Sequence, residues 1–344
     1  MNAAIRSAAD MKVAVLLNAN AKRVSPRVQS ALRHVVPDDD LFLSRTADDA
    51  RNIARTVIDR RYRTVFTGGG DGTFVSFVTE ILDTVRNGAA SLLPRFGVLK
   101  LGTGNALAGM VGATGGEGIL DDVLRARAGE VPSVRRVDLI EHEGRITPFA
   151  GIGLDAAVLN DYCSFKRRLG EGRLKRLGTG MPGYALSVAT RTLPHYLVHR
   201  KAPEIEVVNG RGVAALLGPD GKPVREFAPG ELIFRGPASM CAASTVPFYG
   251  FNLKMFPFAG SAPGKMQLRV SNIGPITALT HLDAIWKGRF RHPEISDFLV
   301  EEVVIRANQP LPLQVGGDAE GYRDEVRLGL APQQIEMVDY SVLN

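Results

Sequence analysis

The chain has an unbroken apolar run, MKVAVLLNAN, that starts at Met11 and ends in polar residues, the pattern of a strand buried on both faces. Farther on, TADDARNIARTVIDRRY sets Ala50, Ile53, Ala54 and Val57 on one face of a predicted helix, and Thr46 with Asp49 has capping-box spacing at its start. TVF reads as the end of a second buried strand, and FVSFVTEILDTV then places Phe74, Phe77, Val78, Ile81, Leu82 and Val85 at helical spacing. RFGVLKLGTGNALAGM repeats the sequence of strand, glycine turn and small-residue helix. This alternation predicts βαβ units around a parallel sheet, whose ligands sit at the carboxyl ends of the strands. Both glycine turns fall there.

From Val137 the rhythm changes. VDLIEHEGRITPFA reads as a hairpin, residues 164–200 contain one helical stretch, and short strands then recur: EIEVV, ELIFRG, KMQLRV, FLVEEVVIRA and QIEMVDY, punctuated by GPDGKP and PFAGSAPG. The expected organisation is an α/β domain over residues 11–136 and a β-rich domain over 137–344, with the extreme C-terminus open to returning to the first. No internal repeat or low-complexity tract interrupts this plan.

Composition narrows the field without choosing a function. At 344 residues with 45% hydrophobic and 23% charged positions, the chain has the make-up of a soluble globular protein with room for two domains. Forty-two Lys and Arg against 36 Asp and Glu give a net charge of +6. This modest excess suits phosphates or an anionic membrane surface and does not suggest a nucleic-acid partner. The two cysteines, Cys163 and Cys241, form no CxxC pair, so neither a disulfide framework nor a zinc site is expected, and a reducing cytoplasm fits. MNAAIRSAAD lacks the apolar core of a signal peptide and no run approaches the ~18 apolar residues of a spanning helix, so membrane contact is expected to be peripheral.

The chemistry concentrates in TVFTGGGDGTFVSFV. Gly68, Gly69, Gly70, Asp71, Gly72 and Thr73 lie between a strand and a helix, where backbone N–H groups and the helix N-terminus favour an anion. The stretch is not a Walker A loop, since GxxxxGK[ST] is absent, and protein-kinase HRD and DFG signatures are absent too. It nevertheless offers what a triphosphate needs: backbone donors, a carboxylate for Mg²⁺ or an ordered water, and a hydroxyl at a helix start. Gly102, Thr103, Gly104 and Asn105 form a second such turn one strand later; alone it reads as a tight turn with Asn105 as helix cap, and beside the first as part of a joint nucleotide site. Asn18 to Lys22, at the end of the first strand, supplies a third wall.

GGGDGT, LGTGNALA, the AGIGLDA of Ala150 to Ala156, and STVPFYGF followed by MFPFAG together resemble the diacylglycerol kinase and sphingosine kinase family of lipid kinases, a likeness that runs from Met11 to Tyr340. The resemblance implies an N-terminal nucleotide domain related to that of NAD kinases, here the catalytic domain at 11–136. It also implies a sandwich-like lipid-substrate domain, with Mg-ATP between the two. Two departures stand out. Many bacterial members carry Asp after GTGN where this chain has Ala106, the GNALA form being that of sphingosine kinases. The family's late Asp-Gly-Glu signature, whose Asp is associated with activating the acceptor hydroxyl, aligns through Val315 with Gly316-Gly317-Asp318 in LQVGGDAEGYRDE; a two-residue shift aligns it with Asp318-Ala319-Glu320. A solvated acidic turn is the plain alternative.

Other features are weaker. Gly151-Ile152-Gly153-Leu154-Asp155-Ala156 matches GxGxxA, with Glu171 at the distance of a ribose-binding acid, but no βαβ unit follows, and the resemblance puts Asp155 on the lipid-binding side. Lys166, Arg167, Arg168, Arg173, Lys175 and Arg176 beside apolar residues suit an anionic membrane or, equally, a solvated helix face. His195, His199 and Trp286 show no partners and read as surface or core residues.

The expectation is therefore a lipid kinase using ATP and Mg²⁺ on a diacylglycerol or a sphingoid or ceramide-like lipid. Gly68, Gly69, Gly70, Gly72, Thr73, Gly102, Thr103 and Asn105 would hold nucleotide, with Asn18 and Thr46 as further contacts; Asp71 would organise the metal, and Asp318, with Glu320 in reserve, would activate the acceptor. Two rivals are an inactive lipid- or nucleotide-binding homologue, motivated by Ala106 and Gly316, and a soluble NAD kinase, against which the Phe-rich PFYGFNLKMFPFAG speaks. Oligomeric state is open, a homodimer being compatible with the sequence.

Overall fold

The computed structural model describes residues 12–86, 92–102, 105–154, 156–157, 202–248 and 253–343. They divide into two units between Val137 and Asp138, and residues from Gln333 onward join the first. The helical stretch expected within 164–200 lies outside the described residues.

The first unit's strands are β1 (Val13–Asn18), β2 (Leu41–Ser44), β3 (Thr64–Gly69), β4 (Arg95–Lys100), β5 (Val134–Val137) and, from the end of the chain, β18 (Ile335–Val338). They form one sheet in the order β2-β1-β3-β4-β18-β5, parallel except for β5. Both faces of this sheet are covered, which is why its strands read as continuous apolar runs. Val13, Val15, Leu17, Phe66, Leu99 and Leu101 pack with Leu32 of α1 (Pro26–Arg33) and Ile119 and Val123 of α5 (Gly118–Arg127). The intervening helices are α2 (Ala47–Asp59), α3 (Asp71–Arg86) and the short α4 (Ala106–Met110). In α3 Phe74, Phe77, Val78, Ile81 and Leu82 are buried, each worth on the order of 2 kcal/mol, and the Phe74 ring meets Phe96 edge-on. The capping box is present: Thr46 Oγ1 accepts from Asp49 N at 3.1 Å, and Asp49 Oδ2 accepts from Thr46 N at 3.1 Å.

β18 lies within QIEMVDY, a segment counted above among the second domain's strands. It pairs in parallel with β4 and antiparallel with β5, because Ile335, Met337 and Val338 fill a buried slot between them. Arg135 Nε to Asp339 Oδ2 at 2.7 Å and Tyr340 OH to Asp122 O at 2.8 Å fasten the end of the chain to that unit.

The second unit is antiparallel. It comprises β6 (Ile140–His142), β7 (Arg145–Thr147), β8 (Phe149–Gly153), β9 (Glu204–Arg211), β10 (Ala214–Leu217), β11 (Pro223–Phe227), β12 (Leu232–Pro237), β13 (Met240–Ser244), β14 (Met266–Ser271), β15 (Ile295–Val300), β16 (Glu302–Val315) and β17 (Asp318–Leu330). The order is β11-β10-β15-β14-β13-β8-β16-β17-β6-β7, with β9 pairing both β16 and β12. Its core gathers Ile152, Val207, Leu268, Phe298, Ile305 and Leu313. The run FLVEEVVIRA, expected as one strand, breaks at Glu301, whose carbonyl accepts from Leu330 N at 2.9 Å and whose carboxylate takes Lys265 Nζ at 2.8 Å. The chain passes there from the partner of β14 to the partner of β17.

Candidate functional site

In the first unit the chain runs from β1 to β2 on one side and then to β3 on the other, so its direction across the sheet reverses between β1 and β3. Open α/β sheets bind ligands at the carboxyl ends of strands beside such a reversal. The registers Asn18↔Ser44, Leu17↔Gly68 and Gly69↔Lys100 set Asn18, Ser44, Gly69 and Lys100 along this one edge. Asn18 Nδ2 donates to Thr73 Oγ1 at 3.0 Å, tying the end of β1 to the first turn of α3 across the reversal. Thr46, at the end of β2, is exposed and spends its hydroxyl as an acceptor in capping α2.

Internal packing explains more of the glycines than a single turn requires. A Cβ on Gly68 would lie 2.4 Å from Leu17 Cδ2, one on Gly69 2.4 Å from Thr73 Oγ1, and one on Gly102 2.2 Å from Gly70 Cα. Gly102 lets the two turns touch each other, Gly69 lets the first turn touch its own helix, and Gly68 makes room for Leu17 of β1. At Gly72 a Cβ would meet nothing within 4 Å among the described residues, so their packing gives no reason for glycine there.

Asn105 differs from its expected part as a cap. It is buried, and its side chain closes on Gly102, Oδ1 accepting from Gly102 N at 3.1 Å and Nδ2 donating to Gly102 O at 2.7 Å. It makes no side-chain bond to α4. Asp71 serves that helix instead: its Oδ1 accepts from Leu107 N at 3.2 Å. Asp71 thus stitches the first glycine turn to the second. Among the described residues no group of three or more His, Cys, Asp or Glu could cage a metal ion. The set at this edge, the Asp71 carboxylate with the Thr73 hydroxyl, fits a magnesium that keeps its waters and shares phosphate oxygens, the ordinary mode for that ion. Lys100 was missed by sequence reasoning, because a lone Lys after a strand carries no signature. It ends β4 at the same edge and forms no ion pair with any described residue.

The late acidic residues sit in the second unit. Gly316 and Gly317 have φ of 63° and 89° and form the two-residue turn joining β16 to β17, with Val315 paired to Asp318. A tight hairpin of this kind needs φ above zero at both turn positions, which explains the glycine pair. Asp318 and Glu320, two apart on β17, share a face. Both meet the Arg145 guanidinium: Nη2 lies 3.2 Å from Asp318 Oδ2, and Nη1 donates to Glu320 Oε1. The Asp318 side chain is 73% exposed and that of Glu320 34%. Arg145 was not singled out in the sequence, since nothing in EGRIT signals a partner so far along the chain.

Thr103, Asp155, Glu171, Cys163, His195, His199 and the basic group Lys166, Arg167, Arg168, Arg173, Lys175 and Arg176 lie outside the described residues. The GxGxxA match belongs to β8, which pairs antiparallel with β13 and β16; a Cβ on Gly151 would lie 2.3 Å from that of Ala242. Its glycine serves close strand packing and opens no βαβ unit.

Residues 12–135 match the family model for the diacylglycerol kinase catalytic domain. No curated protein matches the chain. Among solved structures, the chain is similar to a diacylglycerol kinase from Bacillus anthracis str. Sterne, with 14% identity over 97% of this chain and 98% of that one and a TM-score of 0.63. It is equally similar to a candidate diacylglycerol kinase from the same strain, with 16% identity over 96% and 98% of the two chains and a TM-score of 0.63. At these identities the likeness is one of fold.

Proposed function

Taking residues 12–135 as a diacylglycerol kinase catalytic domain, we propose that the protein transfers the γ-phosphoryl group of ATP, with Mg²⁺, to a hydroxyl of a diacylglycerol or a sphingoid or ceramide-like lipid. The observation that carries this reading is the meeting of two glycine turns beside the β1–β3 reversal, stitched by Asp71 to Leu107 N. Phosphoryl transfer asks the protein mainly for positioning and charge neutralisation. The backbone of Gly68 to Gly70, Gly72, Gly102 and Thr103 receives the phosphates, Thr73, Asn18, Thr46 and Asn105 order that wall, and Lys100 adds a positive charge. Asp71 would hold the magnesium or its water, and the ion would supply neutralisation of the phosphate charge. In the transfer the acceptor oxygen bonds to the γ-phosphorus as the bond to ADP breaks, and the hydroxyl proton passes to Asp318.

No helix among the described residues is long and apolar enough to cross a membrane. We assign contact with the lipid surface to the basic group at 166–176, and lipid binding to Asp155. Ala106 and Gly316 favour one second reading, an inactive homologue that retains binding. Incubation of the purified protein with labelled ATP, Mg²⁺ and separate panels of lipids and NAD decides: a labelled lipid supports the proposal, labelled NADP replaces it with a NAD kinase, and no product gives the inactive homologue the lead.

A further inference from the structure

The carboxylate pair at the start of β17 differs from a solvated acidic turn in one respect: a single guanidinium engages both members. Glu320 is the less exposed of the two, and its carbonyl also accepts from Arg323 Nη1 at 3.3 Å. Asp318 is largely exposed and, among the described residues, its carboxylate takes only Nη2 of Arg145, at 3.2 Å. Arg145 itself stands on β7, in the hairpin with β6 whose turn is Glu143 and Gly144, with φ of 49° and 80°. The planar fork of an arginine fits two acceptors at fixed positions, which a lysine, as a point charge, does not.

We propose that Arg145 is the positioning residue for the acceptor-activating carboxylate. Glu320 fixes the guanidinium, and the guanidinium fixes Asp318, which keeps its exposed oxygen for the lipid hydroxyl. This assigns the two acids different work: Glu320 acts through Arg145, and Asp318 meets the substrate. It also explains how the chain retains an ordered carboxylate although glycine stands at 316. An isolated aspartate beside a glycine turn would sample several rotamers, and a displacement of about 1 Å from productive geometry is enough to lower a rate about 100-fold. An exposed ion pair contributes little to stability. The rate and the stability should therefore respond differently to its loss.

The inference rests on the lipid-kinase reading, and its test separates the two. Arg145→Ala, Arg145→Lys, Glu320→Gln and the double variant Arg145→Ala/Glu320→Gln are assayed with the wild type for lipid phosphorylation and thermal midpoint. Arg145→Ala is expected to lower kcat about 10- to 100-fold, with the KM for ATP and the midpoint unchanged, and added guanidinium ion should restore part of the rate. Arg145→Lys should fall between, and the double variant should be no slower than Arg145→Ala alone, as for residues acting as one unit. An Arg145→Ala enzyme at wild-type turnover overturns the inference while the kinase reading stands. So does a loss that tracks a fallen midpoint and is not rescued, since that is a structural role. A wild type that phosphorylates no lipid overturns both.

Discussion

Asp71 and Asp122 are both aspartates bonded to backbone, yet their environments give them opposite prospects. Asp71 accepts from Leu107 N and is proposed to hold the metal, so truncation to alanine would remove a structural bond together with the charge. Asp71→Asn keeps an acceptor for Leu107 and removes only the charge. Its thermal midpoint should match wild type while turnover falls ~100-fold or more; an Asn variant with full turnover would falsify the metal-holding role. Asp122 is buried, accepting from Thr114 N at 3.0 Å and Thr114 Oγ1 at 2.8 Å. Burial pushes its carboxyl above the ordinary carboxylate range, and the two Thr114 bonds only partly oppose this. The folded state therefore binds this proton more tightly than the unfolded chain, and the stability so gained is lost as pH rises through the folded value. Asp339 behaves oppositely: burial raises it, but the Ser341 hydroxyl and amide together with Arg135 outweigh burial and hold it below the ordinary range. Its contribution is present above the ordinary value and disappears as pH falls through the folded one. Asp122→Asn keeps an oxygen for Thr114 and deletes the titration. Thermal midpoints measured across mildly acidic to neutral pH should show the variant at or above wild type at neutral pH, with the gap closing as the solution is acidified.

At the level of elements, legibility followed how locally each one is determined. The strands β1, β3 and β4 and the helices α2 and α3 could be read because double-sided burial makes unbroken apolar runs and single-sided burial makes a stripe. The Thr46 cap was legible for the same reason, its partner being three residues away. The second unit's edge strand β11 was not, because in PVREF only Phe227 is buried. FLVEEVVIRA hid a break, since nothing in two adjacent glutamates says that the first turns toward Lys265. The glycine pair at 316 and 317 could be read as a turn, but its consequence, that Asp318 and Glu320 emerge on one face of β17, depends on the two-residue register with Val315. That register is itself testable. Gly317→Ala forces a side chain into the left-handed region at φ 89°, and should destabilise the protein by ~1 kcal/mol in urea unfolding. Gly316→Asn, in the order that such hairpins favour, should be close to neutral. Equal losses at both positions would argue against the observed turn.

For the whole molecule, the sequence disclosed two differently built units and left the extreme C-terminus open to returning to the first, as it does, but not which strands it would join. A four-residue strand, IEMV, carries no mark of the neighbours it will choose, and β18 finds them between β4 and β5, with Met337 opposite Phe96. Removing residues 333–344 should expose the flanks of β4 and β5 and leave Leu99, Leu101 and Val123 without Val338 and Tyr340. The truncated protein is expected to be insoluble, or to show rapid proteolysis confined to residues 12–137. A truncated chain whose first unit resists protease as well as wild type would show that β18 is dispensable.

The late arrival of β18 also bears on how the protein is made. Domains generally fold as units, N-terminal first, while the chain is still being synthesised. Here the sheet holding the glycine turns lacks an interior strand until residues 335–338 have been translated, so β4 and β5 must wait with open edges while the second unit emerges from the ribosome. Closing that gap joins Phe96 to Met337 across most of the sequence, the kind of distant pairing that slows folding. A nascent chain stalled before Gln333 would thus present its unfinished edges to chaperones, and the glycine turns would acquire their final support only once β18 has docked.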